Sequence, residues 1–181
     1  MIRPQALHSV NLQALTEAGA VLIERTPLRN LERLAPESID LNDDSIVTWE
    51  AKAELRPGAT GRQDIWLHVQ AFVSMSLTCQ RCLTAVKTPL KLDQWCRFVA
   101  SEEVAMAEDD GCDEDLLVMT PQFDLLALLE DELLMAMPLV PMHDQCPVMP
   151  AFSSGLAELP TVAVDKPNPF AALARLKKNQ I

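Results

Sequence analysis

The run from Ile65 to Leu77 constrains the fold more than any other stretch of the chain. Ile65, Leu67, Val69, Ala71, Val73, Met75 and Leu77 take alternate positions, and His68, Gln70, Ser74, Ser76 and Thr78 fall between them. Successive side chains of a strand point to opposite faces, so the pattern predicts one unusually long strand with a single apolar face. Continued by one step, the alternation puts Cys79 on the core side. Two further runs flank it. Val47, Trp49, Ala51, Ala53 and Leu55 alternate with Thr48, Glu50, Lys52 and Glu54, while Val86, Leu90, Leu92, Cys96 and Phe98 alternate with Lys87, Lys91, Asp93 and Arg97. The links between the three are short, which predicts an antiparallel meander. Pro89 cannot donate to a ladder, so the third strand begins at an edge. With a short strand at 116–119, the sheet has about four strands, curled toward a barrel by the length of the second.

The rest of the chain reads as helix and loop around this sheet. A short helix at 11–18 ends at Gly19, Val21-Leu22-Ile23 is extended, and Thr26-Pro27 supplies a cap and first-turn proline for a helix at 27–34. Pro36 and residues 40–45 form a loop, and 101–115 form an acidic loop without periodicity. A long helix is expected at 121–137, with Thr120 as cap and Pro121 in the first turn. Leu126, Leu129, Leu133 and Met137 share one face, and Pro138 ends the helix. Glu130 lies beside that apolar face, so its carboxylate needs a donor or a cation, while Asp131 points away. The expected class is therefore α+β: one domain over 1–147, made of a helical segment 1–44, a meander 45–100, the acidic loop and the helix. Residues 148–181 follow as a Pro-rich linker and a short basic helix carrying Arg175, Lys177 and Lys178.

Composition limits the function. With 49% apolar and 23% charged residues in 181, the chain is an ordinary globular protein. No apolar run reaches the roughly 20 residues of a membrane span, and the start, Met1-Ile2-Arg3-Pro4-Gln5, lacks a secretory signal, so a cytoplasmic protein is expected. Five cysteines without an export signal fit reduced thiols, some of them holding a metal, better than disulfides. The net charge of −11 is zoned: residues 1–97 hold 11 acidic and 11 basic side chains, and residues 98–165 hold 15 acidic and none basic. An acidic middle repels phosphate and steers a basic protein toward it, or simply keeps the surface solvated.

Cys79-Gln80-Arg81-Cys82 sits in the link between two strands. A redox pair of this spacing opens a helix, whose N-terminus lowers the thiol pKa; here a strand follows, so redox chemistry is not expected. Two thiolates in a tight turn can share a tetrahedral zinc if two more ligands arrive, and His143 and Cys146 are the available pair. The alternative is that Cys79 and Cys82 are small apolar fillers and His143 a surface or capping residue. Cys96 reads as core. No Ser-His-Asp order, Gly-rich phosphate loop or His-Glu-x-x-His pattern is present, and Glu102-Glu103 and Asp109-Asp110 read as a solvated face. An enzyme is not expected.

Taken together, the meander carrying Cys79-Gln80-Arg81-Cys82-Leu83, the helical run 124–137 with Pro138-Leu139-Val140-Pro141, and then His143 and Cys146 resemble the YceD family, the large ribosomal RNA subunit accumulation proteins. The ending Lys166-Pro167-Asn168-Pro169-Phe170-Ala171-Ala172-Leu173 is similar to its proteobacterial branch. The resemblance covers the chain from about residue 45 and implies a non-enzymatic role in synthesis, processing or stability of 23S ribosomal RNA, and so in large-subunit assembly. In many relatives a second Cys pair follows the Pro-x-His segment, where this sequence has Cys146 and then Pro147. Two routes to such a role are open. Arg62, Arg81, Lys87, Lys91 and Arg97, with Arg175, Lys177 and Lys178, could contact RNA phosphates directly. Alternatively, the acidic middle could hold a basic ribosomal protein or assembly factor, and the charge map leans slightly this way. No Tyr, three Trp and five Phe, without an aromatic-rich recognition motif, argue against bases stacking on the sheet.

Overall fold

The computed structural model describes residues 7–58 and 61–148. The expected basic helix with Arg175, Lys177 and Lys178, and nearly all of the Pro-rich linker before it, lie outside the described residues. The element order is α1 (Leu12–Ala18), β1 (Val21–Pro27), β2 (Ile46–Pro57), β3 (Gln63–Thr78), β4 (Ala85–Val99), α2 (Glu102–Glu108), β5 (Asp115–Val118) and α3 (Leu125–Met135). The five strands form one sheet in sequence order.

The meander is present: β2 and β3 pair antiparallel from Thr48↔Phe72 to Pro57↔Gln63, and β3 and β4 from Ile65↔Phe98 to Thr78↔Ala85. The sheet differs from expectation at both ends. The extended piece at Val21 runs on to Pro27 as an antiparallel strand against β2. At the other end β5 pairs parallel with β4, so the sheet is mixed rather than purely antiparallel. A parallel neighbour needs a crossover, and α2 lies in it. The order is linear with β1 and β5 at the two edges, so the curl expected from the long β3 does not reach closure.

Ile65, Leu67, Val69, Ala71, Val73, Met75, Leu77 and Cys79 are all buried, as the alternation requires. They pack with Leu12 and Leu15 of α1 and with Leu125, Leu126, Leu129 and Leu133 of α3 in one core. Leu55 is an exception to its own pattern: it is 56% exposed at the end of β2, beside the turn to β3. The outward-facing residues of β2 to β4 leave the opposite side of the sheet largely open.

Two helix expectations and one loop expectation are corrected. Residues 27–34 are not a helix: β1 continues through Pro27, and 3₁₀ turns at Leu28–Asn30 and Ala35–Glu37 follow. Glu130 explains why, since its Oε1 accepts from the main-chain N–H of Arg33 (2.7 Å) and Leu34 (3.0 Å), donors that a continuing helix would bond internally. Thr26 accepts from Trp49 Nε1 at 2.9 Å inside the core instead of capping. The long helix is 11 residues and starts at Leu125, because Asp124 caps it by accepting from Ala127 N. Pro121 and Gln122 form a bend, and Phe123 is held by its bridge to Val10. Met137, expected on the helix face, lies beyond its end, partly buried. Finally, the acidic segment is not a loop throughout, since 102–108 form α2 and Asp109–Gly111 a 3₁₀ turn. Among the described residues no helix is long and apolar enough to cross a membrane.

Candidate metal centre

At the far end of the β3–β4 hairpin the chain makes a tight knuckle. Cys79 N donates to Thr84 O at 2.9 Å, and Leu83 N donates to Cys79 O at 2.9 Å. Leu83 reaches this shape only with φ of 59°, a left-handed conformation uncommon for a branched side chain. The segment after α3 returns to this knuckle and is pinned there by Gln80 N donating to Pro141 O at 2.8 Å. That contact delivers His143 and Cys146, so residues about 60 positions apart meet.

The donor atoms of Cys79, Cys82, His143 and Cys146 all lie within 4.8 Å of one another. Cys79 Sγ is 4.0 Å from Cys146 Sγ, and Cys82 Sγ is 3.5 Å from His143 Nδ1. A tetrahedral zinc, with Zn–S of about 2.3 Å and Zn–N of about 2.0 Å, sets its donors roughly 3.5 to 3.8 Å apart, so the set fits the ion. His143 Nε2 lies 3.0 Å from the carbonyl of Ala85; donating there leaves Nδ1 as the free lone pair facing the thiols, as a ligand requires. Cys79 is fully buried while the other three are half-buried.

Two of the three thiols, Cys79 and Cys82, are biased toward the ligand form. Burial alone would raise Cys79, but the N–H groups of Cys82, His143 and Arg81 and the His143 ring overcome it and hold the thiol at about 5. Cys82 is lowered chiefly by Thr84, through its hydroxyl and its main chain. His143 is raised, mainly by its hydrogen bond to Cys79. Burial and the neighbouring sulfurs raise Cys146. Cys96 contrasts with the cluster: buried away from any donor, its thiol is pushed up to about 12. Of the two readings of the cysteines, the filler reading does not account for a histidine aimed at the sulfurs.

The expected RNA-contact residues are not one surface. Arg62 is exposed at the β2–β3 turn, and Arg81 is exposed on the knuckle with Nη2 3.8 Å from Met142 Sδ. Lys87 and Lys91 are exposed on the open face of β4. Arg97 is a correction: it is 2% exposed, with Nη1 3.2 Å from Asp64 and 2.6 Å from Glu108, and Nε 2.9 Å from Glu114. A guanidinium so enclosed holds α2 and the lead into β5 onto the sheet and cannot reach a phosphate. The structural set stands otherwise: Leu126, Leu129, Leu133 and Glu130 are buried on α3.

Sequence reasoning also missed the open face as an aromatic surface. The alternation had already placed His68 outward, and Trp66, Phe72 and Trp95 share that side, so the signal was present in the spacing. Trp95 stacks on His68 with centroids 4.2 Å apart, and the Arg56 guanidinium lies 3.6 Å from the Trp95 centroid. Few as the aromatics are, two of the three Trp stand on one side of the sheet.

Comparison with known proteins places the chain in a family. The family model for the large ribosomal RNA subunit accumulation protein YceD matches residues 67–177, from within β3 to near the C-terminus. A curated relative of that name from Haemophilus influenzae is 32% identical over 157 residues, 82% of each chain. No solved structure matches. With its knuckle, its returning Pro-rich exit and most of its length inside these matches, the chain belongs to the YceD family of large ribosomal RNA subunit accumulation proteins.

Proposed function

We propose that this protein acts without catalysis in the synthesis, processing or stability of 23S ribosomal RNA, attaching to the large subunit as it is assembled. The family's name supports the ribosomal assignment. The observation that carries the non-catalytic part is the four-ligand cluster. Three Cys and one His fill every position of a tetrahedral ion, and a closed site of this kind braces a fold, whereas a catalytic one keeps a position open for water or substrate. Zinc there would supply a cross-link between the β3–β4 knuckle and the segment after α3. The Cys79 to Cys82 turn and the Gln80 to Pro141 hydrogen bond shape that junction.

Removing the gene and restoring it with wild-type or Cys82→Ser chains tests the reading. The expected result is a 23S to 16S ratio that falls on deletion and recovers only with wild type, together with co-sedimentation of the wild-type protein with large-subunit precursors. An unchanged ratio and no association with precursors would overturn it.

A second reading has one observation in its favour. Glu102, Glu103, Asp109, Asp110 and Asp113 are exposed on α2 and the segment that follows it, and Arg97, a cation packed there, is enclosed by three carboxylates. Such a surface suits a basic ribosomal protein or assembly factor. Pull-down from extract should then recover a basic protein that is lost when these acids are neutralised. Recovery that ignores the neutralisation excludes this reading.

A further inference from the structure

We propose that the open face of the sheet is a binding site for single-stranded RNA, in which a base stacks on Phe72 and the adjacent phosphates are held by Arg25 and Lys91. The inference rests on the reading that the protein works on large-subunit RNA, and it adds where the RNA is touched.

The register places these residues in one row. Arg25 on β1 pairs with Thr48 on β2, Thr48 with Phe72 on β3, and Phe72 with Lys91 on β4. All four are exposed, and Phe72 presents 44% of its surface to water, which is expensive for a ring with no partner. At about 4.8 Å per strand the row is roughly 14 Å wide, enough for a short run of nucleotides. It crosses a groove of about 620 Å³. Trp95, the nearest rival ring, is already covered by His68 and Arg56. Phe72 is thus the ring left with room for a base.

Charge selects the occupant. In a chain of net charge −11, Arg25, Lys87 and Lys91 on this face take part in none of the ion pairs among the described residues. The acids of the same face are mostly engaged: Glu54 holds Lys52 at 2.7 Å and Arg56 at 2.5 Å, and Asp93 accepts from His68 (2.6 Å) and Gln70 (2.9 Å). Glu24 and Glu50 remain at one side of the groove. Because Glu50 and Asp93 occupy the next row with Ile23 and Gln70, a phosphate chain is repelled from running along the strands and is directed across them. An exposed ring between unpaired cations is how sequence-tolerant single-strand sites are built, combining stacking with phosphate contacts.

Binding of the full-length protein to a fluorescein-labelled 12-nucleotide RNA of mixed sequence, followed by anisotropy over a salt series, tests the site. Phe72→Ala should weaken binding about tenfold with the salt slope unchanged, and Phe72→Trp should preserve it. Arg25→Ala and Lys91→Ala should each flatten the slope of log K against log salt by about 0.7. Irradiation at short ultraviolet wavelength should cross-link the RNA to the peptide bearing Phe72. All three positions are exposed, and unchanged melting temperatures would confirm intact folding. Wild-type affinity in Phe72→Ala and Lys91→Ala, or cross-links confined to other peptides, overturns the site. No salt-sensitive complex in a protein that still co-sediments with precursors overturns the site and leaves attachment standing; loss of co-sedimentation as well overturns both. If Phe72→Ala instead abolishes capture of a ribosomal protein from RNase-treated fractions, the occupant is a protein and the RNA site is overturned.

Discussion

Glu130 Oε1 accepts hydrogen bonds from the main-chain nitrogens of both Arg33 and Leu34, and so one carboxylate on α3 shapes a turn 96 residues earlier in the chain. Its Oε2 adds the Arg33 side chain at 3.1 Å. Removing the carboxylate orphans two N–H groups, one of them on a residue that is fully buried. Glu130→Ala should cost about 3 kcal/mol and Glu130→Gln about half as much, since an amide oxygen still accepts but carries no charge. Urea unfolding at constant m reads both. An unmoved midpoint in Glu130→Ala would contradict the assigned role.

Arg97 is the counterpart on the other side of the sheet. Arg97→Met removes the cation and leaves Asp64, Glu108 and Glu114 facing one another. We expect a loss of about 3 to 5 kcal/mol, the cost of breaking a buried pair by deleting one partner. Cleavage by a protease within residues 102–114 should accelerate as α2 loosens. If RNA affinity falls while stability and cleavage stay at wild-type values, Arg97 contacts RNA after all.

Protein purified without chelator should contain one zinc per chain by elemental analysis, and cobalt exchanged into it should show the thiolate charge-transfer band. Cys82→Ser should lose both. Structural zinc sites in small peptides contribute about 10 kcal/mol or more, and a chain with its own core should lose only part of that on chelation. Metal well below one equivalent, with Cys82→Ser as stable as wild type, would remove the ion from the account.

Asp124 gives a pH signature. Burial opposes its charge, but the N–H of Ala127 and the His8 ring, 3.0 Å away, outweigh that and hold the carboxyl below its ordinary value of 3.8. A group whose folded pKa is depressed stabilises fully above the unfolded value and ceases to do so as pH falls through the folded one. Asp124→Ala should therefore cost about 1 kcal/mol at neutral pH, the usual worth of a helix cap, and the gap between variant and wild type should close below about pH 4. A gap that persists at pH 2 would mean the side chain acts through packing instead.

What could be read from the residues was local and periodic. The strand from Gln63 to Thr78 announced itself because the seven apolar positions from Ile65 to Leu77 never break step, and Glu130 was placed by its neighbours Leu126, Leu129 and Leu133. The misreadings share a non-local cause. Thr26-Pro27 carries a sound helix-start signal, yet Trp49 and Glu130 compete for the same groups. Pro121 suits a first turn, yet Val10 holds Phe123 extended and hands the cap to Asp124. Arg97 and Lys91 look alike in an alternating strand, and only the arrival of Glu108 and Glu114 distinguishes an enclosed cation from a free one. The four residues of the cluster were picked out by residue type, but no spacing rule could bring Cys79 beside Cys146; the hydrogen bond from Gln80 to Pro141 does that. The sharing of one face by Trp66, Phe72 and Trp95 went unremarked because counting aromatic residues says nothing about which side of a sheet they occupy.

The distance in sequence between Cys82 and His143 also orders events during translation. The β3–β4 hairpin and its thiol pair can be complete while the exit segment is still inside the ribosomal tunnel, and closing so long a loop is the slower step. Two reduced sulfurs therefore wait, half-dressed, for partners that emerge only after α3. If the cluster takes zinc, a chain released before the ion arrives would have a sound hairpin and an open clasp, a defect of maturation rather than of folding.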